Sequence, residues 1–319
     1  MISPQIGTSR HIPILLEPIA DFLVARLKSL PTNAPPGLIL DCTLGGGGHT
    51  ARILEKMGED PTLMRHSVLG IDQDPEAVNR NKIKFDSEIQ GKTLEVVHGS
   101  FSDARMHARG RPIYGLLADL GISSDQIDSE TRGFSFRFPA SLDMRMNTNA
   151  GTPLKEILLG LTEAELADLI WKYGEERLSR RIARKIVELR TRNQLPENTL
   201  SLAEAIASVF PPALRHKRMH PATQTFQAFR IAVNEELKEL ETLIENIFPA
   251  VEKGGHIAIL SFHSLEDRLV KTEFHDRERY ELPSRKAIQA NDEELERNPR
   301  SRSAKLRLAI KKVSGSFIG

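Results

Sequence analysis

Four consecutive glycines lie between an apolar segment and a helix-like segment, in the run Leu40-Asp-Cys-Thr-Leu-Gly-Gly-Gly-Gly-His-Thr50. Because glycine lacks a Cβ atom, such a run can turn tightly and approach a ligand closely. The spacing Gly46-x-Gly48-x-x-Ala51 fits the dinucleotide-binding fingerprint, and Asp72 ends the next apolar segment, where a carboxylate can accept hydrogen bonds from ribose hydroxyls. No Gly-Lys-Ser/Thr follows, so a nucleoside triphosphate is not expected. The pattern predicts a nucleoside site, with a glycine-rich structural turn as the alternative.

Two further carboxylates distinguish between nucleoside ligands. Asp41 precedes the glycines in the pattern acid-x-x-x-Gly-x-Gly, completed by Gly45 and Gly47, which is typical of loops that bind S-adenosylmethionine (SAM). A carboxylate there is poorly placed beside a pyrophosphate but acceptable beside the cationic methionine end of SAM. Asp119 ends a later apolar segment in the same way. We therefore expect a SAM-type site and keep a nicotinamide site as the alternative.

Five short apolar segments closed by turn or polar residues are predicted to be buried strands. They are Leu38–Leu44, Ser67–Asp72, Leu94–His98, Tyr114–Leu120 and His256–Phe262. Helix-like stretches separate the first four, which is the sequence form of parallel strands joined by crossover helices in a doubly wound α/β sheet. Ligands of such sheets lie beyond the carboxyl ends of the strands, where Asp41, Asp72, Phe101 and Asp119 would lie.

The fourth and fifth predicted strands are separated by about 135 residues, too many for one crossover. Helix signals fill this stretch: a capping box at Thr162-Glu-Ala-Glu165, an arginine-rich helix over Arg177–Arg192 and a third helix over Ser201–Phe210. We therefore predict an inserted helical subdomain over residues 128–220, which would recognise the substrate.

The remaining residues, 1–127 and 221–319, are assigned to the core. Apolar residues at three- and four-residue steps predict one long helix from Thr223 to about Pro249, ahead of the fifth strand. Leu306–Val313 is predicted to be a last strand at the edge of the sheet.

Composition limits the class of protein. The chain has 319 residues, of which 39% are hydrophobic and 27% charged, as expected of a globular protein with a sizeable core. Its 44 basic and 43 acidic residues give a net charge of +1, so a nucleic-acid surface has to come from local patches. The single cysteine, Cys42, excludes internal disulfides and zinc sites built on cysteine pairs. With neither a secretory signal nor an apolar membrane span, we expect a cytoplasmic protein.

Nine sequence blocks, in order from the first strand almost to the C-terminus, give the chain a specific resemblance. They are Asp41-x-Thr-x-Gly-x-Gly-Gly-His49, Gly70-Ile-Asp-Gln-Asp74, Asp119-Leu-Gly-Ile-Ser-Ser124, Arg132-Gly-Phe-Ser-Phe136, Leu142-Asp-Met-Arg-Met146, Tyr173-Gly-Glu-Glu-Arg177, His220-Pro-Ala-Thr-x-Thr-Phe-Gln227, Ser261-Phe-His-Ser-Leu-Glu-Asp-Arg268 and Asn298-Pro-Arg-Ser-Arg-Ser-Ala-Lys-Leu-Arg307. With these blocks the sequence resembles the bacterial 16S ribosomal RNA (cytosine-N4)-methyltransferase family.

The resemblance implies an α/β fold, with a Rossmann-like class I SAM-dependent methyltransferase core and an inserted all-helical subdomain. It implies methylation of the exocyclic amine of a cytidine in the decoding region of the small ribosomal subunit, with SAM as the cofactor. Matched residue by residue, the family's SAM contacts fall on Gly47, Gly48, His49, Asp72, Phe101, Asp119 and Gln126.

Methyl transfer to a cytosine amine needs positioning and an acceptor for the amine proton. Asp119 is the candidate acceptor, and binding of the SAM amino group is its alternative role. His263, which follows the fifth strand, is a second catalytic candidate, against a structural hydrogen-bonding role. Methylation at carbon 5 would need a thiolate, but Cys42 lies at the exit of the first strand and is interpreted as a small buried residue. Phe101 either stacks on adenine or packs in the core.

Basic residues are concentrated in three runs on an otherwise neutral chain. Between Lys172 and Arg192, eight basic residues and three acidic residues give a net charge of +5. Such runs favour an RNA-binding surface over an ordinary solvated helix face. The candidate RNA contacts are Arg145, Arg180, Arg181, Arg184, Lys217, Arg218 and Arg302. For Arg145, a phosphate contact and a structural ion pair both stay open.

The predicted partner is thus 16S ribosomal RNA within the small ribosomal subunit, with no metal and no membrane. The oligomeric state stays open between a monomer and a homodimer. Two other functions also stay open: a nicotinamide-dependent dehydrogenase, and an assembly factor that keeps a SAM fold without catalysis. Binding of NAD rather than SAM would identify the first, and subunit binding without methylation would identify the second.

Overall fold

The computed structural model describes residues 13–215 and 219–312. Its strands are β1 (Leu38–Asp41), β2 (Ser67–Asp72), β3 (Leu94–His98), β4 (Ile113–Asp119), β5 (Val251–Ser261), β6 (Tyr280–Glu281) and β7 (Lys305–Lys311). They form one sheet in the order β3-β2-β1-β4-β5-β7-β6. The first five are parallel neighbours, whereas β7 is antiparallel to both β5 and β6. The five strands predicted from apolar segments are confirmed.

The α-helices alternate with the first strands and then occur in succession. They are α1 (Leu16–Lys28), α2 (Gly48–Gly58), α3 (Pro75–Lys84), α4 (Asp86–Gln90), α5 (Ala104–Ala108), α6 (Ser124–Asp128), α7 (Leu154–Gly160), α8 (Glu163–Gly174), α9 (Ser179–Thr191), α10 (Thr199–Ser208), α11 (Pro212–Arg215), α12 (Thr223–Asn234), α13 (Glu236–Thr242), α14 (Ser264–Phe274) and α15 (Asp292–Arg297). Among the helices of the described ranges, none combines the length and the apolar character needed to cross a membrane.

The chain divides into two compact units: residues 1–121 with 237–319, and residues 122–236. The first is the core unit, in which alternating strand residues face opposite sides of the sheet. Ile39 and Leu117 belong to one buried apolar cluster, and Leu38 and Leu116 belong to the other. Apolar layers on both faces make this unit a Rossmann-like α/β core, as predicted.

The helical unit has its own apolar core, formed by side chains of α7 to α10 and α12. The predicted capping box at the start of α8 is present, since the Thr162 hydroxyl accepts the Glu165 N–H at 3.3 Å and the Glu165 carboxylate accepts the Thr162 N–H at 2.8 Å. The boundaries 128 and 220 expected from the sequence differ from the structural boundaries 122 and 236, because α12 packs in the helical unit and not in the core unit.

The prediction of one long helix from Thr223 to Pro249 is wrong. Glu235 has a left-handed backbone (φ 49°) and ends α12, after which α13 and a π-helical turn over Leu243–Ile247 continue the chain. The apolar periodicity continues through this break, although its two halves pack into different apolar cores. Phe226 of α12 is buried in the helical unit, whereas Leu240 of α13 is buried in the core unit.

The predicted strand over Leu306–Val313 is confirmed as β7, with Val313 outside the described residues, but its predicted position at the edge of the sheet is wrong. The observed strand β7 pairs with β5 on one side and with the two-residue strand β6 on the other. That pairing makes β6 the outer strand, and a strand of two residues is too short to form an apolar run from which it could be predicted.

Candidate functional site

The glycine run forms a tight turn between β1 and α2 that other residues could not adopt without strain. Gly45 and Gly47 have positive φ angles of 51° and 69°, in the left-handed region. A Cβ atom on Gly47 would lie 2.2 Å from Asn81 Oδ1 and 2.6 Å from Phe85 Cε2, well inside van der Waals contact. Glycine is therefore required at position 47 for two independent reasons, backbone conformation and space.

Side chains from β2 and α3 hold the backbone of this turn. Asp72 Oδ2 accepts the Gly45 N–H at 2.6 Å, and Asn81 Nδ2 donates to the Gly45 carbonyl at 2.7 Å. Lys84 Nζ donates to the Gly46 carbonyl at 2.8 Å. The other Asp72 oxygen accepts the Asp74 N–H at 2.8 Å. Because an ionised carboxylate offers about four lone-pair sites, Asp72 retains capacity for ribose hydroxyls.

Asp41, the last residue of β1, is only 1% exposed. Its Oδ2 accepts the Thr50 hydroxyl at 2.6 Å, and its Oδ1 accepts the Thr43 N–H at 3.2 Å. Burial raises the pKa of Asp41 to about 6. In this conformation Asp41 holds both ends of the glycine turn, and almost none of its surface is left for the cofactor contact expected from the sequence.

Asp119, the last residue of β4, keeps 19% of its side chain exposed. Its backbone N–H donates to Thr43 Oγ1 at 2.6 Å, which ties the end of β4 to the glycine turn. Burial, with the nearby charges of Asp41 and Glu266, raises the pKa of Asp119 to about 8. Asp119 is thus a partly accessible carboxyl group that ionises far less readily than an ordinary aspartate.

His49 lies in the first turn of α2 with its side chain 7% exposed. Its Nε2 lies 3.0 Å from the Ile14 carbonyl oxygen, and its Nδ1 lies 3.6 Å from Asp119 Oδ2. Gly48, its neighbour, approaches Pro13 so closely that a Cβ atom would lie 2.2 Å from Pro13 Cγ. The predicted contacts Gly47, Gly48 and His49 therefore lie where the turn enters α2.

Phe101 follows β3 and begins a short 3₁₀ helix, Phe101–Asp103. Its ring is partly buried against one of the two apolar clusters of the core unit. The preceding Ser100 accepts the Ser102 N–H and donates its hydroxyl to Glu239, which fixes this turn. Stacking of Phe101 on adenine stays a prediction.

His263 forms the N-cap of α14, which is the structural role weighed against catalysis. Its Nδ1 accepts the Glu266 N–H at 3.4 Å, and its Nε2 lies 3.1 Å from Glu266 Oε1. Glu266 in turn accepts the His263 N–H at 3.3 Å, which completes a capping box. The side chain of His263 is 7% exposed, and in this structure it caps the first turn of its own helix, α14.

Gln126 belongs to the helical unit and lies in the first turn of α6. Its Oε1 accepts the Ser123 N–H at 3.0 Å, while the Ser123 hydroxyl accepts the Gln126 N–H at 3.2 Å. The sequence prediction that Gln126 contacts the cofactor stays a prediction.

The candidate RNA-binding arginines differ in how their guanidinium groups are used. Arg145 binds both oxygens of Asp143, at 2.8 and 2.9 Å, so the ion-pair interpretation describes it in this structure. Arg184 lies 3.4 Å from Glu163, whereas Arg180 and Arg181 are exposed on α9. Arg302 is exposed on a 3₁₀ helix of the core unit. Lys217 and Arg218 lie outside the described residues.

Four residues that hold the turn were not singled out from the sequence: Thr43, Thr50, Asn81 and Lys84. Thr43 lies inside the first motif block and Thr50 directly after it, but their partners become visible only in the structure. Asn81 carried a signal, since it is a polar residue on the face of α3 that buries Ala77 and Val78. A polar side chain at an apolar helical position usually has a specific hydrogen-bond partner.

The raised pKa of Asp119 predicts a stability that falls with rising pH. The native protein keeps a proton on Asp119 up to about pH 8, whereas an unfolded aspartate loses it near pH 4. This contribution is therefore full below about pH 4 and is lost as the pH rises through 8. Between pH 7 and 8 we expect the free energy of unfolding in urea to fall by about 1 kcal/mol. Asp119→Asn should remove most of that fall, and a fall of equal size in this variant would contradict the assignment.

Comparison with known proteins identifies the family. A model of the MraW methylase family matches residues 8–312. The ribosomal RNA small subunit methyltransferase H of Prochlorococcus marinus (strain NATL2A) is 45% identical over 311 residues, which cover 95% of each chain. The protein of the same name from Synechococcus sp. (strain CC9902) is 46% identical over 306 residues, covering 96% of this chain and 98% of its own.

The methyltransferase with SAM as its methyl donor, expected from the sequence, is thereby confirmed, and the alternative of a nicotinamide-dependent dehydrogenase is set aside. The glycine turn and the carboxylates at the ends of β1, β2 and β4 belong to a chain whose relatives match it almost from end to end. This chain belongs to the MraW methylase family and is an S-adenosylmethionine-dependent methyltransferase.

Proposed function

We propose that this protein methylates the exocyclic N4 amine of a cytidine in the decoding region of 16S ribosomal RNA. The name of its relatives, ribosomal RNA small subunit methyltransferase H, supports RNA of the small ribosomal subunit as the substrate. The nine sequence blocks support the N4 amine as the group that is methylated and the decoding region as its location. One observation carries the chemistry: Asp119 presents a partly exposed carboxyl group at the carboxyl end of β4, tied to the glycine turn.

The residues around the turn fit S-adenosylmethionine by their chemistry. Asp72 retains lone pairs for ribose hydroxyls, and Asp119 is a carboxyl group that a neighbouring cation would help to ionise. The glycines allow a ligand to approach the backbone closely. When bound, S-adenosylmethionine supplies the methyl group as a cationic sulfonium.

The proposed work of this chain is to orient the acceptor amine and to take its proton. The lone pair of a cytosine amine is delocalised into the ring, so an acceptor hydrogen-bonded to that amine helps it to become pyramidal. Asp119 is our candidate for this acceptor, and it receives the proton that the amine loses as the methyl group arrives. Binding of the SAM amino group is the rival role for the same carboxylate.

Methylation at carbon 5 of cytosine has little support from this chain. That chemistry needs a thiolate that attacks the base. Cys42 is 2% exposed, and burial raises the pKa of its thiol well above the ordinary value. A buried, protonated thiol cannot act as the nucleophile.

The exposed arginines of α9 are the strongest candidates for phosphate contacts. Arg180 and Arg181 are adjacent and exposed, and they lie on a helix that buries Ile182, Ala183 and Ile186 on its other face. A guanidinium group that neutralises a phosphate releases counterions, so its loss changes the salt dependence of binding.

We expect the double substitution Arg180→Ala, Arg181→Ala to weaken RNA binding and to lower the slope of log K against log salt by about 1.5 to 2. Fluorescence anisotropy with labelled 16S RNA fragments at several salt concentrations measures that slope. The matched control, Lys28→Ala with Arg277→Ala, removes two exposed cations of the core unit. Equal changes in both double variants would mean that net charge, and not α9, governs binding.

The proposed function is tested with methyl-labelled SAM and two substrates from cells that lack the modification: small ribosomal subunits and naked 16S RNA. The RNA is digested to nucleosides, which mass spectrometry resolves. Label in N4-methylcytidine supports the proposal, and label at carbon 5 or in another nucleoside overturns the proposed acceptor. Bound SAM and bound subunits without label would favour an assembly factor without catalysis.

A further inference from the structure

The imidazole of His49 is oriented by contacts at both ring nitrogens. Nε2 lies 3.0 Å from the Ile14 carbonyl oxygen, which can only accept a hydrogen bond. The proton of a neutral imidazole is therefore on Nε2, and Nδ1, which then carries the lone pair, lies 3.6 Å from Asp119 Oδ2. This tautomer follows from the partner of Nε2 alone.

The Ile14 carbonyl is itself held in place by a distant part of the chain. The N–H of Leu15, the next residue, donates to Glu294 Oε1 of α15 at 2.6 Å. Leu15 has a left-handed backbone (φ 52°), and both Ile14 and Leu15 are 5% exposed. The His49 ring thus rests against a buried backbone segment fixed from α15, which leaves Nδ1 little freedom to turn away from Asp119.

The groups around this pair are acidic. Asp41 of β1 and Glu266 of α14 act on Asp119, and Glu294 of α15 acts on His49. An ionised Asp119 facing the lone pair of Nδ1 would bring two acceptors together in a negative environment. One proton between them removes this conflict, either on the Asp119 carboxyl group or on Nδ1.

We propose that His49 is a positioning residue that shares one proton with Asp119. The proposal rests on the proposed role of Asp119 as acceptor of the amine proton. In the resting pair the proton is on Asp119, and it moves to His49 Nδ1 when Asp119 ionises beside a cationic ligand. The carboxylate then accepts the proton that the methylated amine releases. The pair holds two protons at that point and returns one to water.

Burial acts on both members in the direction that this scheme needs. It raises the pKa of Asp119 to about 8 and lowers the pKa of His49. Without a ligand, both effects place the shared proton on the carboxyl oxygen and leave the imidazole neutral.

The first test requires neither RNA nor turnover. Histidine labelled with nitrogen-15 is observed by NMR from pH 6 to 9, and the signals of His49 are assigned by their loss in His49→Gln. We expect a neutral ring with its proton on Nε2 and a shift of the Nδ1 signal near pH 8, which Asp119→Asn abolishes. A proton on Nδ1, or a ring that does not respond to Asp119→Asn, overturns the proposal. A failure of RNA methylation would leave this result standing.

The second test separates the two ring nitrogens by substitution. The two variants are His49→Gln and His49→Asn. The amide of the glutamine reaches the position of Nε2 and can keep the bond to Ile14. The amide of the asparagine occupies the position of Nδ1 but cannot take up a proton. With SAM saturating, we expect His49→Gln to move the rising acid limb of kcat/KM for RNA about one unit to higher pH. The reason is that the protonated His49 of the pair favours the ionised form of Asp119, and glutamine cannot carry that positive charge. We expect kcat to fall about tenfold in both variants.

Melting temperature and SAM affinity control for a structural role of His49. The matched control is His275→Asn, because His275 is an exposed histidine whose Nδ1 contacts the Lys271 carbonyl at 2.6 Å and whose substitution should leave the profile unchanged. A pH profile of His49→Gln that coincides with the wild type overturns the proposal. Activity lost only in proportion to SAM affinity, with no shift of the limb, overturns it as well.

Discussion

Asp119→Asn is expected to lower kcat for methyl transfer by about 10² to 10⁴-fold, the usual range for loss of a general base. Asparagine has nearly the same shape, and the backbone bond from residue 119 to Thr43 does not involve the side chain. The fold and the glycine turn should therefore persist, while the acceptor for the amine proton is lost. Single-turnover methylation of small subunits, with SAM affinity measured separately by calorimetry, gives both quantities needed.

SAM affinity distinguishes the two roles of Asp119. If Asp119 is the proton acceptor, Asp119→Asn should change the Kd for SAM by less than about fivefold while kcat falls, because the lost interaction acts mainly in the transition state. If Asp119 chiefly binds the SAM amino group, the Kd should rise by at least as large a factor as kcat falls. Asp60→Asn is the matched control, since Asp60 is a partly exposed cap whose contacts to Thr62 an asparagine can also make.

Gly47→Ala should weaken SAM binding by at least tenfold and lower the free energy of unfolding. The positive φ of 69° costs a side-chain-bearing residue about 1–2 kcal/mol. The new Cβ would also lie 2.2 Å from Asn81 Oδ1, so Asn81 must move, and with it the bond that holds the Gly45 carbonyl. Overpacking of this kind adds about 1–3 kcal/mol. Urea unfolding and calorimetric titration with SAM measure the two effects.

Gly58→Ala is the control for this prediction. Gly58 ends the same helix, α2, and a Cβ atom there would have no neighbour within 4 Å. Alanine should be neutral or stabilising by up to ~1 kcal/mol, because it favours the helix over the unfolded chain. If Gly47→Ala behaved like Gly58→Ala, the turn would be far more adaptable than its contacts indicate.

The sheet and the turn could be predicted from the sequence because their signals are local. A buried parallel strand is a short apolar run, and β1, β2, β4 and the second half of β5 have this form. The glycine turn and the carboxylates that end three of these strands lie within or beside such runs. Strand polarity alone then brings Asp41, Asp72 and Asp119 to one edge of the sheet.

The individual roles of the side chains could not be predicted, because they depend on partners distant in sequence. Thr43 accepts the N–H of Asp119, 76 positions away, and the Glu294 carboxylate accepts the N–H of Leu15, 279 positions away. The end of α12 at Glu235 could not be predicted for a different reason. A single left-handed residue interrupts the helix, but the apolar period continues on its far side into a different core.

The strand order also bears on whether the sheet can be extended by a strand from another chain. A sheet edge exposes unpaired N–H and C=O groups on which another chain can add a strand. Here one edge is β6, which is only two residues long, and the other is β3, which carries Glu95 with Arg109 and Arg111 beside it. A minimal edge and a charged edge are both unfavourable templates for β-addition. The sheet is thus protected at both ends against edge-to-edge aggregation.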